Sequence, residues 1–77
     1  MKKEYYELLK KVMDKPEMEL RDEMLLKDDL GIDSLKMAIL YPQIEDAFGV
    51  RFSPLEDDFA EVFRTVGSLW KTVQGKL

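Results

Sequence analysis

The sequence predicts an all-α fold, a small four-helix bundle with a long first loop and a short third helix, on three observations. Apolar residues recur at helical spacing in four separate segments. Capping or breaking residues (Pro16, Asp33, Gly49, Ser53, Thr65) punctuate those segments. The best alternating stretch, Val50-Arg51-Phe52, is too short to found a sheet.

The first helix is expected over Lys3 to Met13, where Tyr5, Leu8, Leu9, Val12 and Met13 share one stripe and Pro16 bounds the segment. From Glu17 to Ile32 the periodicity loosens. Leu20, Met24, Leu25, Leu26 and Leu30 are still too many apolar side chains for a free linker, so this connection should lie across the core. Gly31 is placed for a turn at positive φ.

The second helix should run from Ser34 to Phe48, with Asp33 as N-cap and Gly49 as stop. At about 100° per residue, Met37, Leu40, Tyr41, Ile44 and Phe48 form its core face. Leu35, Ile39 and Pro42 fall nearly opposite and predict an exposed apolar strip, because one small bundle does not bury both faces of a helix. Pro42 removes the N–H that would bond the Ala38 carbonyl, which predicts a kink or a break there.

Ser53-Pro54-Leu55-Glu56 reads as a capping box with proline at the first helical position. It should open a short helix carrying Leu55, Phe59, Val62 and Phe63 inward. Thr65 then caps a last helix whose stripe is Val66, Leu69, Trp70 and Val73.

Length and composition narrow the function. The 77 residues allow one domain, 1–77, with roughly 4,900 Å² exposed when folded against roughly 13,000 Å² extended. With neither cysteine nor histidine, disulfides, thiolate nucleophiles, ordinary zinc sites and histidine acid/base catalysis are excluded. Glu45 and Asp46, or Asp57 and Asp58, are adjacent carboxylates that diverge by about 100° on a helix, which is poor geometry for a catalytic pair. The chain is therefore not expected to be an enzyme.

Twelve basic against sixteen acidic residues argue against nucleic acid, and the absence of a signal pattern or a long apolar run argues for a cytoplasmic protein without membrane insertion. The charge is uneven. Eight acids lie between Asp14 and Asp33 against Lys15, Arg21 and Lys27, and six between Glu45 and Glu61 against Arg51. Such a centre steers basic partners. Met13, Met18, Met24 and Met37 read as gap fillers of the core.

Asp33-Ser34-Leu35 sits where loop meets helix. A serine in the first helical turn can hold a phosphoester, since free backbone N–H groups and the helix dipole favour negative charge there. Its hydroxyl is a weak nucleophile without an adjacent base, so activation must come from outside. By propensity alone, Asp33 and Ser34 read more readily as ordinary cap residues than as a modification site.

The segment Leu30-Gly31-Ile32-Asp33-Ser34-Leu35, followed by a helix ending Ile44-Glu45-Asp46-Ala47-Phe48-Gly49-Val50, resembles the acyl carrier proteins and related peptidyl carrier domains. The likeness extends over nearly the whole chain, from the opening helix and the Leu26-Lys27-Asp28-Asp29 approach to the last helix beginning Thr65-Val66-Gly67-Ser68-Leu69. It implies a four-helix bundle of acyl-carrier type. It also implies that Ser34 receives 4'-phosphopantetheine from coenzyme A through a separate magnesium-dependent phosphopantetheinyl transferase. Asp33 would help hold that enzyme's magnesium ion in the complex, and the isolated chain would hold no metal.

By the same resemblance the arm's thiol carries acyl or aminoacyl intermediates as thioesters among loading, condensing and modifying enzymes. Those partners would dock on Leu35, Lys36, Ile39, Pro42, Glu45 and Asp46 of a monomeric carrier. Lys36, Ile39 and Pro42 depart from the common bacterial fatty-acid pattern. They favour a secondary pathway, polyketide or nonribosomal peptide, over fatty-acid synthesis. The alternative is an interaction module of the same fold whose Ser34 is never modified.

Overall fold

The computed structural model describes residues 2–77; Met1 of the expected 1–77 domain lies outside the described residues. Four helices follow in order: α1 (Lys2–Met13), α2 (Ser34–Phe48), α3 (Phe59–Val62) and α4 (Val66–Lys76). The described residues contain no strand, only an isolated antiparallel bridge between Leu25 and Thr65. No described helix is long and apolar enough to cross a membrane. The accessible surface, 5017 Å², is close to the area expected for a compact chain of this length.

On α1, Tyr5, Leu9 and Met13 are buried, with Leu8 and Val12 packed beside them. The helix ends before Pro16 because Asp14 turns left-handed, at φ 59°. Lys15 N–H then donates to the Lys10 carbonyl (3.1 Å) and Asp14 N–H to Lys11 (3.2 Å), the paired bonds of a Schellman stop.

The long connection does cross the core, with Leu20, Leu26, Leu30 and Ile32 buried. It is tied to the start of α4 by Leu26 N–H to Arg64 O (3.0 Å), Val66 N–H to Met24 O (2.9 Å) and Gly67 N–H to Asp22 O (2.8 Å). Only glycine allows the last approach: a Cβ at position 67 would stand 2.9 Å from Asp22 Cβ. Asp22 in turn accepts from Lys2 Nζ (2.7 Å) and Tyr6 Oη (2.5 Å), so α1 and α4 grip the loop at one residue. Those two donors hold the Asp22 carboxyl below the usual aspartate range.

The helix α2 is continuous through Pro42, so the break allowed by the sequence does not occur. Pro42 and Ala38 are both exposed, so the missing Pro42 N–H is lost on the side of the helix where water can take its place. Leu40 and Ile44 are fully buried, and Met37, Tyr41 and Phe48 pack against the core. The helix ends where Gly49, at φ 67°, donates to the Glu45 carbonyl.

The third helix differs from the expectation. It begins at Phe59, capped by Asp58 without a side-chain bond, and residues 54–57 form a turn instead of its first stretch. Asp57 takes the part expected of Glu56. Its Oδ2 accepts from Ser53 N–H (2.8 Å) while its own N–H donates to Ser53 O (2.7 Å). Ser53 Oγ accepts from Leu55 N–H (3.3 Å). The ring closes one residue late and makes a turn, leaving Leu55 97% exposed instead of inward.

Four residues cannot sustain a helix alone. Tertiary packing does so here: Tyr41, Phe52, Phe59 and Phe63 form a cluster of rings with centroids 5.3 to 6.4 Å apart, which pins α3 to α2. Each such pair adds about 0.5 to 1.5 kcal/mol beyond burial.

On α4 the capping box is Thr65 with Ser68, each side chain accepting the other's backbone N–H (2.9 and 3.0 Å). Val66, Leu69, Trp70 and Val73 are buried as their spacing predicts. Tyr5 closes the bundle: its hydroxyl donates to Val66 O (2.6 Å) and its ring stacks on Trp70 at 5.1 Å. Burial pushes that phenol's pKa well above its ordinary value.

Candidate functional site

The site begins with the turn that precedes α2. Leu25 O accepts from both Asp29 and Leu30 N–H, and Lys27 O from Gly31 N–H, which winds residues 25–31 tightly. Gly31, at φ 71°, reverses the chain as expected, and Ile32 is buried beside it. Asp33 is then extended (φ −81°, ψ −173°), and its Oδ1 accepts from Lys36 N–H at 3.0 Å. Its N-cap role is met.

Ser34 opens the helix. It is exposed, and among the described residues its hydroxyl has no hydrogen-bond partner. The first-turn N–H groups that Asp33 leaves unused point toward the same end of the helix. Beside the serine lies an open cleft of about 340 Å³. Lys27, Ile32 and Asp33 form its loop side, Met37 its α2 side, and Phe59, Ala60 and Phe63 the side of α3. A free hydroxyl at a helix start, next to a largely apolar trough, suits a phosphodiester-linked chain with a flexible, weakly polar arm.

The expected docking residues divide. Leu35 is 73% and Ile39 47% exposed, while Pro42 and Asp46 are also exposed and Lys36 is half-buried. Together they give α2 an outward face that starts beside Ser34.

Glu45 is placed otherwise. Its side chain is only 11% exposed; Oε2 accepts from Phe52 N–H at 2.9 Å, and Oε1 lies 3.7 Å from the Arg51 guanidinium. A helical wheel puts it near Ser34, but the reversal at Gly49 brings Phe52 back against it. Glu45 therefore holds the Phe52 backbone and presents little carboxylate surface.

The cleft residues Lys27, Met37, Phe59 and Phe63 were not legible as site residues. Apolar periodicity marks the last three only as core, and Lys27 stands in the sequence as one cation in an acidic run.

Residues 6–73 match the family described as phosphopantetheine attachment site. The chain is 36% identical over 63 residues to an acyl carrier protein of Exiguobacterium sibiricum, covering 82% of this chain and 76% of that protein. It is 37% identical over 59 residues to an acyl carrier protein of another Exiguobacterium, covering 77% and 71%. A solved structure from Mycobacterium tuberculosis, assigned there as a candidate acyl carrier protein, matches with a TM-score of 0.83 at 25% identity, over 97% of this chain and 96% of that one. A fold, a motif position and relatives that agree over most of the length leave one assignment: the chain belongs to the acyl and peptidyl carrier protein family, whose prosthetic group is 4'-phosphopantetheine.

Proposed function

We propose that Ser34 is the attachment residue and that the modified chain shuttles acyl or aminoacyl groups, as thioesters, between partner enzymes. The observation that carries this reading is Ser34 itself: an unpartnered, exposed hydroxyl in the first turn of a fifteen-residue helix, opening on the cleft, in a chain whose family is defined by such a site. In the modification, Ser34 Oγ attacks the β-phosphorus of coenzyme A, adenosine 3',5'-bisphosphate leaves, and the hydroxyl proton passes to a base of the transferase. With no histidine in the chain, that base comes from the partner.

The chain's own contribution is position. The Asp33 cap leaves one carboxylate oxygen free of Lys36 N–H, suited to a hard cation carried by the transferase. The start of α2 favours the phosphodiester's negative charge. The thiol of the arm supplies the thioester chemistry, and the protein itself catalyses no step. Leu35, Ile39 and Pro42, with Lys36 and Asp46 at their edges, form a small docking face for the transferase and for loading, condensing and modifying enzymes. Small, charge-steered contacts associate quickly and release readily, as cargo transfer requires. We place the carrier in the cytoplasm as a monomer. Lys36, Ile39 and Pro42 favour a polyketide or nonribosomal peptide pathway over fatty-acid synthesis.

The test is intact mass before and after incubation with coenzyme A, magnesium and a broad-specificity phosphopantetheinyl transferase. The expected result is the gain of one phosphopantetheine mapped to Ser34 and absent in Ser34→Ala. Failure to gain mass, in an assay that labels a known carrier and with an unmodified starting sample, would favour the unmodified interaction module.

A further inference from the structure

We infer that Lys27 is a positioning residue for the prosthetic arm, pairing with the phosphodiester on Ser34 and laying the arm along the cleft toward Met37, Phe59 and Phe63. This rests on the proposed modification of Ser34. Lys27 is the one cation among the residues that line the cleft beside that serine. It makes no ion pair among the described residues, although acids surround it in sequence.

Two of those acids are held in place by the backbone through one oxygen each: Asp29 Oδ2 accepts from Leu25 N–H at 2.7 Å, and Asp33 Oδ1 from Lys36 N–H. The base of the lysine is fixed, since Lys27 O accepts from Gly31 N–H at 3.1 Å and the preceding Leu26 is fully buried. A long, flexible cationic side chain on a rigid turn thus stands beside the position where modification installs a permanent negative charge.

The rest of the trough is apolar on the side of α2 and α3. A pair at the root of the arm would therefore favour those conformations in which the chain leans on Met37, Phe59 and Phe63 over those extended into solvent. The pair is exposed, so it is weak and screened, and a docking enzyme can displace it.

The experiment compares apo and holo protein, each verified by intact mass. Lysine acetylation by a limiting N-hydroxysuccinimide ester is mapped by peptide mass spectrometry, with the exposed Lys71 as internal reference. Conversion to holo protein should lower the Lys27-to-Lys71 labelling ratio by about two- to fivefold, the scale an exposed ion pair commands, and about 1 M salt should restore it.

The ³¹P resonance of holo Lys27→Gln should move from that of the unsubstituted protein, whereas Lys27→Arg should stay with it. Equal labelling in the apo and holo forms, protection that salt does not relieve, or an unmoved resonance in Lys27→Gln would each overturn the pairing while leaving modification intact. Failure to form any holo protein would overturn the proposed function and the pairing with it.

Discussion

Removing the Glu45 carboxylate should destabilise the fold while leaving the modification chemistry alone. Glu45 Oε2 is the partner of the Phe52 backbone N–H, and Phe52 is 6% exposed, so Glu45→Ala leaves a donor with little access to water. Losing a charge-assisted bond of this kind costs about 1.5 to 3 kcal/mol. A 77-residue domain has roughly 4 to 12 kcal/mol of stability in all, and about 4 to 8 °C of melting temperature per kcal/mol, so the midpoint should fall by roughly 6 to 24 °C.

Glu45→Gln keeps an acceptor oxygen and gives up mainly the charge interaction with Arg51, which is 82% exposed and therefore worth about 0 to 1 kcal/mol. Thermal and urea unfolding followed by circular dichroism measure both variants. Transferase kcat/KM, taken at a temperature where both remain folded, should match the unsubstituted protein. The reasoning is refuted if Glu45→Ala stays within about 0.5 kcal/mol of wild type, the range of an ordinary surface change, and instead slows partner reactions.

Ile39→Glu should leave the fold intact and attachment at Ser34 possible while changing transfer with partner enzymes, because the side chain is 47% exposed on the α2 face; unchanged kinetics with every loading or condensing enzyme that uses the carrier would remove that face from docking. Gly67→Ala forces Asp22 away from a Cβ that would stand 2.9 Å from its own, a strain of about 1 to 3 kcal/mol, read as a lower urea midpoint with an unchanged slope. Asp57 is held below the usual aspartate range by Ser53 N–H and by Lys76, whose Nζ lies at 3.0 Å. Because its folded pKa is the lower one, its stabilisation is complete above the unfolded value near 4 and is lost as pH falls through the folded one. Urea unfolding of Asp57→Asn should accordingly lose less stability than wild type between about pH 5 and pH 2.

The long helices were legible because their signals are local. Asp33, Gly49 and Thr65 perform their capping roles within three or four residues of themselves, and the stripes of α1, α2 and α4 follow the helical period. Local signals mislead where two candidates stand side by side. Ser53-Pro54-Leu55-Glu56 satisfies the capping pattern, yet the neighbouring Asp57 closes the ring and produces a turn, because its carboxylate also meets Lys76 from the end of α4. Leu55 is apolar with nothing to pack on, since α3 is held by the rings after it.

The sequence by itself determined the all-α class, the bounds of α2, the left-handed turn at Gly31 and the serine that opens the helix. Each of these depends on residues close in the chain, where propensity and capping energies act without knowledge of the rest. Tertiary structure alone decided that Glu45 accepts from the Phe52 backbone, that Asp22 is gripped by Lys2, Tyr6 and Gly67, and that Lys27, Met37, Phe59 and Phe63 surround one cleft with Ser34. These groupings join residues from different segments of the chain, and which side chains meet is settled only when the core is packed.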